Sequence, residues 1–286
     1  MPNGTLRGVL VASLLAAGWG ACIATPAIAD DGDKPLFELG VMVGGGYLSD
    51  YPAAGENHFR GLALPNITYR GEILRSDDKG LVRSRFIHTD NIEFDISLNG
   101  SLPVDSEDND DRRGLPDLDW LGEIGPRVQF TVARAPGGSA KIELELPVRA
   151  VFSTDFSDGD YRGIVFAPEI AYQHKNFLSE NTRIKLGIGA GFATTELAEY
   201  FYEVEPRFAT ASRPAFSADP GYFGSKIQLA AFTSFSSRWR GFAGLKLELH
   251  HGAANGNSPL FKDKKTFSAG LGLIWSFYQS DDRGWD

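Results

Sequence analysis

The chain has 286 residues, with 28 basic against 37 acidic side chains and a net charge of −9. That balance excludes the electropositive surface that nucleic-acid binding needs, so no nucleic acid is expected among its partners. The single cysteine, Cys22, excludes an internal disulfide, and past the first 29 residues no run of 18 apolar residues supplies a transmembrane helix.

The first 29 residues read as a secretory signal. Arg7 supplies the positive end, Gly8 to Ile23 is mostly apolar, and Ala27-Ile28-Ala29 is a small-x-small cleavage site before Asp30. The expected domains are therefore a signal peptide at 1–29 and one mature domain at 30–286. Trp19-Gly20-Ala21 is a poor lead-in to a lipidated Cys22. Arg7 is the only charged residue removed, which leaves 27 basic residues against 37 acidic ones. The mature chain has no cysteine, so its sheet or core alone must hold it together outside the cytoplasm. An exported chain without an apolar helix can still be integral to a membrane if it is a barrel, because half of each strand can be polar.

The mature chain repeats one unit, a strand of alternating apolar and polar residues. Phe37, Leu39, Val41, Val43 and Tyr47 alternate with Glu38, Gly40, Met42, Gly44 and Gly46. From Arg60 to Tyr69 the alternation is blurred. Ile92 to Leu102 and Trp120 to Val132 restore it, with Glu93, Asp95, Glu123 and Arg127 on the polar row. Ile142 to Phe152 sets Glu143, Glu145 and Arg149 opposite its aliphatics. Ile164 to Tyr172 carries Glu169, and Ile184 to Phe192 carries Arg183, Lys185 and three glycines. Ile227 to Phe235 and Leu245 to Leu249 carry Lys226, Lys246 and Glu248, and Arg240 lies just ahead of the latter. Thr266 to Phe277 is the clearest strand: Phe267, Leu271, Leu273, Trp275 and Phe277 share one face, and Ile274 is the one apolar residue on the other. Twelve residues at about 3.3 Å each can cross a bilayer core when tilted.

Short and long connections also alternate. Arg70-Gly71, Thr89-Asp90, Pro136 to Ser139, Phe177 to Asn181 and Ser236 to Arg238 are brief. Ser49 to His58, Asp105 to Asp117, Thr154 to Asp160, Leu197 to Gly221 and Gly252 to Lys265 are long and polar. Sorting of this kind is the arrangement of an outer-membrane barrel. The expected fold class is all-β: a transmembrane antiparallel up-and-down β-barrel of about twelve strands. The alternative is ten, if Glu72-Arg75 and Gly80-Ile87 do not join the wall.

Several stretches resemble the MipA/OmpV family of outer-membrane proteins. They are Asp50-Tyr51-Pro52, Leu64-Pro65, Tyr69-Arg70-Gly71, Thr89-Asp90-Asn91 and Gly114-Leu115-Pro116-Asp117-Leu118-Asp119. Tyr200 to Val204, Ser212 to Phe216, Ser258-Pro259-Leu260 and Phe267 to Leu273 follow in the same order. The resemblance spans nearly the whole mature chain. It implies a barrel in the outer membrane of a Gram-negative cell, contacting lipid. It also implies a non-catalytic scaffold for murein-remodelling enzymes, namely a periplasmic lytic transglycosylase and a bifunctional penicillin-binding protein. Other members are linked to osmotic response, adhesion or small-solute uptake, so a small-solute channel or osmotic-response porin is the alternative and a lipid hydrolase a more distant one. Ala53 stands where many members carry glycine, and Tyr278 to Asp286 extends past the strand on which many members end.

No stretch carries the pattern of a catalytic, cofactor or metal site. Gly187-Ile188-Gly189-Ala190-Gly191 has the wrong spacing for a dinucleotide loop and continues as a strand; its glycines share one face and make room there. Asp105 to Asp111 concentrates acidic groups without the order of a calcium loop. His250 and His251 are adjacent on a strand and face opposite ways, so they cannot share an ion, and no serine can be paired with either from spacing. The informative set is the polar row of the strands. Glu93, Asp95, Glu123, Glu143, Glu145, Glu169 and Glu248 are expected to face the lumen with Arg127, Arg149, Arg183, Lys185, Lys226, Arg240 and Lys246. Mixed signs in a narrow barrel can neutralise one another or line a hydrated path.

Overall fold

The computed structural model describes residues 34–71, 74–77, 80–84, 87–88 and 91–284. The expected signal segment at 1–29 lies outside them, as does the Thr89-Asp90 turn. Fourteen strand segments join one antiparallel sheet. They are β1 (Phe37–Ser49), β2 (Asn57–Arg70), β3 (Leu74–Asp77), β4 (Gly80–Ser84), β5 (Ile87–His88), β6 (Ile92–Ser101) and β7 (Trp120–Arg134). Then come β8 (Ala140–Thr154), β9 (Gly159–Phe166), β10 (Glu169–Lys175), β11 (Thr182–Ala193), β12 (Gly221–Ser234), β13 (Trp239–Leu249) and β14 (Lys265–Gln279).

Neighbours in sequence are neighbours in the sheet, and β1 pairs with β14 from Glu38↔Gln279 to Tyr47↔Ala269. The first and last strands thus meet antiparallel, which requires an even number of wall strands. β9 and β10 run end to end between β8 and β11 and are broken at Ala167-Pro168, where proline removes a ladder donor. The ladder continues through the break: Ala167 N donates to Pro147 O at 3.3 Å, and Ala190 N to Pro168 O at 3.0 Å. β4 and β5 follow one another in the chain, the first paired to β3 and the second to β6, and β4 also lies beside β6. Counting each of these two broken pairs as one strand leaves twelve walls of the fourteen segments. The N-terminal lead-in and the tail lengthen the β1–β14 seam. Leu36 N donates to Asp282 O, Gly284 N donates to Lys34 O, and Pro35 bridges Arg283. The residues after Phe277 therefore continue the closing seam.

Burial follows the pleat. Val41, Val43, Ile188, Leu229, Leu245, Leu271 and Leu273 are exposed on the outer row, while Glu38, Asp95, Glu145, Lys185 and Ser276 are buried on the inner one. Outward aromatics form two belts, as membrane interfaces favour. Phe152–Tyr161 and Phe192–Tyr222 lie toward the long loops, with ring centroids 5.7 and 5.6 Å apart. Trp239–Trp275 and Phe37–Tyr278 lie toward the short turns, at 5.8 and 6.3 Å.

The blurred strand has a physical cause. On β2 the even-numbered residues face inward, and two of them are Leu62 and Leu64. Leu64 pairs across to Met42, and Met42 to Ile274. Phe242 lies over Gly44 and Gly272, where a Cβ at Gly272 would collide with its ring. One arc of the interior is therefore apolar. Among the described residues β3 pairs with β2 only at Tyr69 and Arg70, so β2 is an edge above that point. Arg70 N donates to Leu36 O, which turns the even-numbered backbone groups of β2 toward β1 and the odd-numbered ones away. Pro65, which has no N–H, thus falls on the open edge, where proline is tolerated.

The long loops fold over their end of the barrel. Helix α1 (Thr195–Tyr202) lies in the longest of them, and Leu197, Phe201 and Tyr202 pack with Tyr51, Val104, Leu118 and Leu121 into one buried cluster. At Gly163, φ is +90° and a Cβ would collide with Thr194 Oγ1, so the β9 bend that meets this helix requires glycine. Ala53 also has positive φ, +61°, and is fully buried.

The topology predicts which side each connection meets. With Ser212→Cys, exposed in the longest loop, a membrane-impermeant maleimide should label intact cells; with Ser237→Cys, in the β12–β13 turn, labelling should require permeabilisation. The reverse pattern would invert the barrel.

Candidate functional site: a charged waist beneath a loop cap

Six strands contribute one connected charge network. Arg127 grips Asp95 with two donors, Nε at 2.9 Å and Nη2 at 2.6 Å, and its Nη1 reaches Glu145 at 3.4 Å. Lys185 Nζ lies 2.8 Å from Glu145 Oε1 and 3.1 Å from Glu169 Oε1. Lys226 Nζ closes the series on Glu169 Oε2 at 3.0 Å. Strand register explains why a lysine must stand there. Glu145 and Glu169 are direct cross-strand partners on β8 and β10, and like charges so placed repel. Lys185, 2% exposed, sits between them. Neutral amides complete the shell: Gln129 donates to Asp95 at 3.0 Å, Gln228 to Glu169 at 2.7 Å and Gln173 to Glu143 at 2.7 Å. Gly187 leaves the space that Glu169 and Gln228 occupy, since a Cβ there would stand 2.5 Å from Glu169 Oε1.

The remaining charges of the row occupy other levels. Arg149 Nε donates to Glu123 at 2.7 Å, and Lys246 Nζ lies 2.9 Å from Glu248; both pairs are nearer the cap. Glu143 pairs with Lys141 at 2.6 Å. Arg183 lies over the Phe232 ring, 5.4 Å from its centroid. Arg240 is 3.9 Å from Glu38, which also pairs with Arg70 at 2.6 Å. Glu93, on β6, is half-buried, and its ladder partners are Gln129 on β7 and His88 on β5. The structure thus joins Asp95, Arg127, Glu145, Lys185, Glu169 and Lys226 into one series.

A second polar hub ties the cap down. Asp50 is buried and accepts from Arg60 at 2.7 Å and from Asn109 at 2.7 Å, with His58 Nδ1 at 2.9 Å. Arg60 also donates to Pro103 O. Glu56 brings a third ligand-type group within 4.8 Å of Asp50 and His58, but donors already occupy both Asp50 oxygens, so the cluster works as a loop clamp. The acidic loop is likewise knit by partners. Asp105 caps the turn at Ser106–Asp108, Asp110 pairs with Arg113, and Asp111 pairs with Lys262, both at 2.7 to 2.8 Å. His250 is buried; its Nε2 accepts from Ala53 N at 3.2 Å and its Nδ1 lies 2.9 Å from Phe223 O.

Tyrosines stitch the loops of the cap together. Tyr51 donates to Leu260 O at 2.8 Å, and Tyr202 to Pro52 O at 2.9 Å. Burial pushes the phenols of Tyr51, Tyr200 and Tyr202 above the ordinary tyrosine range. Between cap and waist lies a cavity of about 240 Å³, bounded by Tyr51, Leu197 and Phe201 above and by Arg149, Lys226 and Gln228 below. The sequence reading missed α1, the amides, the Asp50 clamp and this cavity. The signal for α1 was present: Leu197, Ala198, Phe201 and Tyr202 recur at helical spacing.

A family profile described as MltA-interacting protein MipA matches residues 41–277. No curated protein matches the chain. Among solved structures, an outer-membrane channel of Pseudomonas putida F1, titled COG4313, aligns at 12% identity with a TM-score of 0.46, covering 87% of this chain and 100% of that one. The NanC porin aligns at 7% identity and a TM-score of 0.39, covering 83% and 100%. A bacterial polysaccharide outer membrane secretin aligns at 10% identity and a TM-score of 0.38, covering 86% and 99%.

Two outcomes follow from this geometry. Glu145→Ala strips Arg127 and Lys185 of a shared buried partner, a loss of about 3–5 kcal/mol; exposed Glu205→Ala, paired to Arg207, should cost about 0–1 kcal/mol. Thermal unfolding of the refolded barrel measures both, and equal effects would remove the waist from the account. For the cap, a phenol with a raised folded-state pKa contributes stability that is complete below the unfolded value of about 10 and is lost as pH rises above it. Near-ultraviolet absorbance should show a late tyrosine ionisation, with protease sensitivity of residues 195–220 rising over the same pH range. Ionisation of all tyrosines near 10 would contradict their burial in the cap.

Proposed function

This chain belongs to the MipA family, and on that premise we propose that it is a non-catalytic outer-membrane scaffold that docks periplasmic murein-remodelling enzymes. The partners in this reading are a lytic transglycosylase and a bifunctional penicillin-binding protein. The chain itself is an outer-membrane β-barrel. The observation that carries the scaffold reading is the Asp95–Arg127–Glu145–Lys185–Glu169–Lys226 series, whose charges neutralise one another across six strands. A transport path gains from unpaired, hydrated charges; this interior spends its charges on one another. The exposed apolar outer row and its aromatic belts support lipid as the surrounding partner in this reading.

A non-catalytic reading is supported by the use of the histidines. His250 ties Phe223 of β12 to Ala53, and His58 serves Asp50. Thr266 Oγ1 lies 3.1 Å from His250 Nε2, the nitrogen that also accepts from Ala53 N, and within 3.4 Å of Glu248, so that hydroxyl is part of the same buried polar packing. A small-solute channel or osmotic-response porin is the second reading. What favours it is the partial exposure of Lys226 and Lys246 beside the cavity, with side chains 23% and 25% accessible.

The test is direct binding. The refolded full-length barrel in detergent micelles should bind a purified periplasmic lytic transglycosylase saturably, and an unrelated barrel of the same size should not. Absence of binding to both the transglycosylase and the penicillin-binding protein would overturn the scaffold reading. Hydrolysis of phospholipid by the purified barrel would overturn its non-catalytic part.

A further inference from the structure

The cavity under the cap has features that neither the charge network nor the scaffold reading uses. Gln228, 4% exposed, lines it. Its Nε2 donates to Glu169, but its Oε1 is buried and has no hydrogen-bond partner among the described residues. A buried acceptor left unfilled is costly, and such groups ask for a donor. Directly across the β12–β13 ladder from Gln228 is Lys246, which also lines the cavity. An ammonium has three N–H donors, and Glu248 takes one of them. An acceptor and a donor therefore stand side by side on one wall.

The charges around the cavity are balanced. Arg60 lies 2.7 Å from Asp50, Arg149 2.7 Å from Glu123, Lys246 2.9 Å from Glu248 and Lys226 3.0 Å from Glu169. Each cation on the wall already has its carboxylate. An anion would have to displace one of those carboxylates, whereas a neutral ligand leaves every pair intact; Asp119, which also lines the cavity, belongs to none of these pairs. The ceiling is aromatic, with Tyr200 and Phe201 contributed by α1, and Phe223 flanks it. About 240 Å³ is below the roughly 300 Å³ at which drug-sized pockets begin.

We propose that this cavity binds a neutral, polyhydroxylated small molecule of about monosaccharide size. A hydroxyl both donates and accepts, so neighbouring hydroxyls match Gln228 Oε1 and Lys246 Nζ together. The C–H face of the ring rests against the aromatic ceiling. The waist closes the cavity toward the short-turn side, so the solute is held beneath the cap. This site is separate from any docking surface for a periplasmic enzyme, and its loss would leave the scaffold reading intact.

The experiment uses the full-length barrel refolded in detergent micelles, with D-glucose and N-acetyl-D-glucosamine as neutral probes and D-glucuronate and D-glucosamine as charged comparators. Binding is read by saturation-transfer NMR and titration calorimetry. Gly244→Leu fills the cavity, since the nearest atom to a Cβ there is Leu229 O at 3.8 Å. Gln228→Leu removes the acceptor. At least one neutral probe should bind saturably and more tightly than either comparator, should weaken about tenfold with Gln228→Leu, and should fail to bind Gly244→Leu. Heat-modifiable gel migration checks that each variant is folded. If Gln228→Leu does not fold, Gly244→Leu decides the matter. No binding by either neutral probe, tighter binding of a charged comparator, or wild-type affinity in Gly244→Leu would overturn the proposal.

Discussion

Two carboxylates stand side by side inside a barrel whose outer face is apolar, and one lysine holds them there. Glu145 and Glu169 are cross-strand partners, and Lys185 contacts both. Removal of two charges from water is repaid only if their partners are close and their remaining lone pairs are satisfied. Arg127 and Lys226 extend the neutralisation outward, and Gln129 and Gln228 satisfy what is left. The glycines of β11 follow from the same requirement. Gly187 and Gly189 carry no side chain because Glu169, Gln228 and the Lys226 stem fill that space. Strand spacing, glycine placement and charge sign are therefore one solution to a single electrostatic constraint.

The interior is divided between two kinds of filling. At the waist charged residues occupy the arc from β6 to β12, while Phe242, Ile274, Met42 and Leu64 fill the arc over β13, β14, β1 and β2, whose own charges, Glu38, Arg70, Arg240, Lys246 and Glu248, lie toward the two ends. Above them the long loops form a small soluble-style core around Tyr202, Phe201 and Tyr51. Full burial of each such aromatic is worth about 1.5–3 kcal/mol, so the cap is a folded unit held by the same forces as a globular domain. Asp50 anchors it at the rim, where Arg60, Asn109 and His58 converge.

Much of the barrel was legible because a strand writes its two faces into alternate positions. Along β8 the buried residues are Glu143, Glu145, Pro147, Arg149, Val151 and Ser153, while Ile142, Val148 and Phe152 face outward. That period survives without any knowledge of the neighbours. It failed on β2, where Leu62 and Leu64 face an apolar arc and both rows read as hydrophobic. It failed again for α1, whose eight residues sit inside a long polar connection. The Asp50 clamp was invisible for a different reason: Asn109 lies 59 positions away, and no local pattern encodes a contact of that range. The amides Gln129, Gln173 and Gln228 carry no charge, so a reading that follows charge passes over them. Ala53 shows what resemblance adds. Its φ of +61° is the backbone that explains glycine in many members, and this chain adopts it with a Cβ in place.

The central claim is that neutralised charge and packed loops close the barrel, and single-channel recording in a planar bilayer tests it most directly. The purified wild-type protein, inserted and verified as folded, should give no discrete conductance steps in dilute or concentrated potassium chloride. Reproducible steps from the wild-type barrel, scaling with salt, would show an open aqueous path through the waist and would contradict the account.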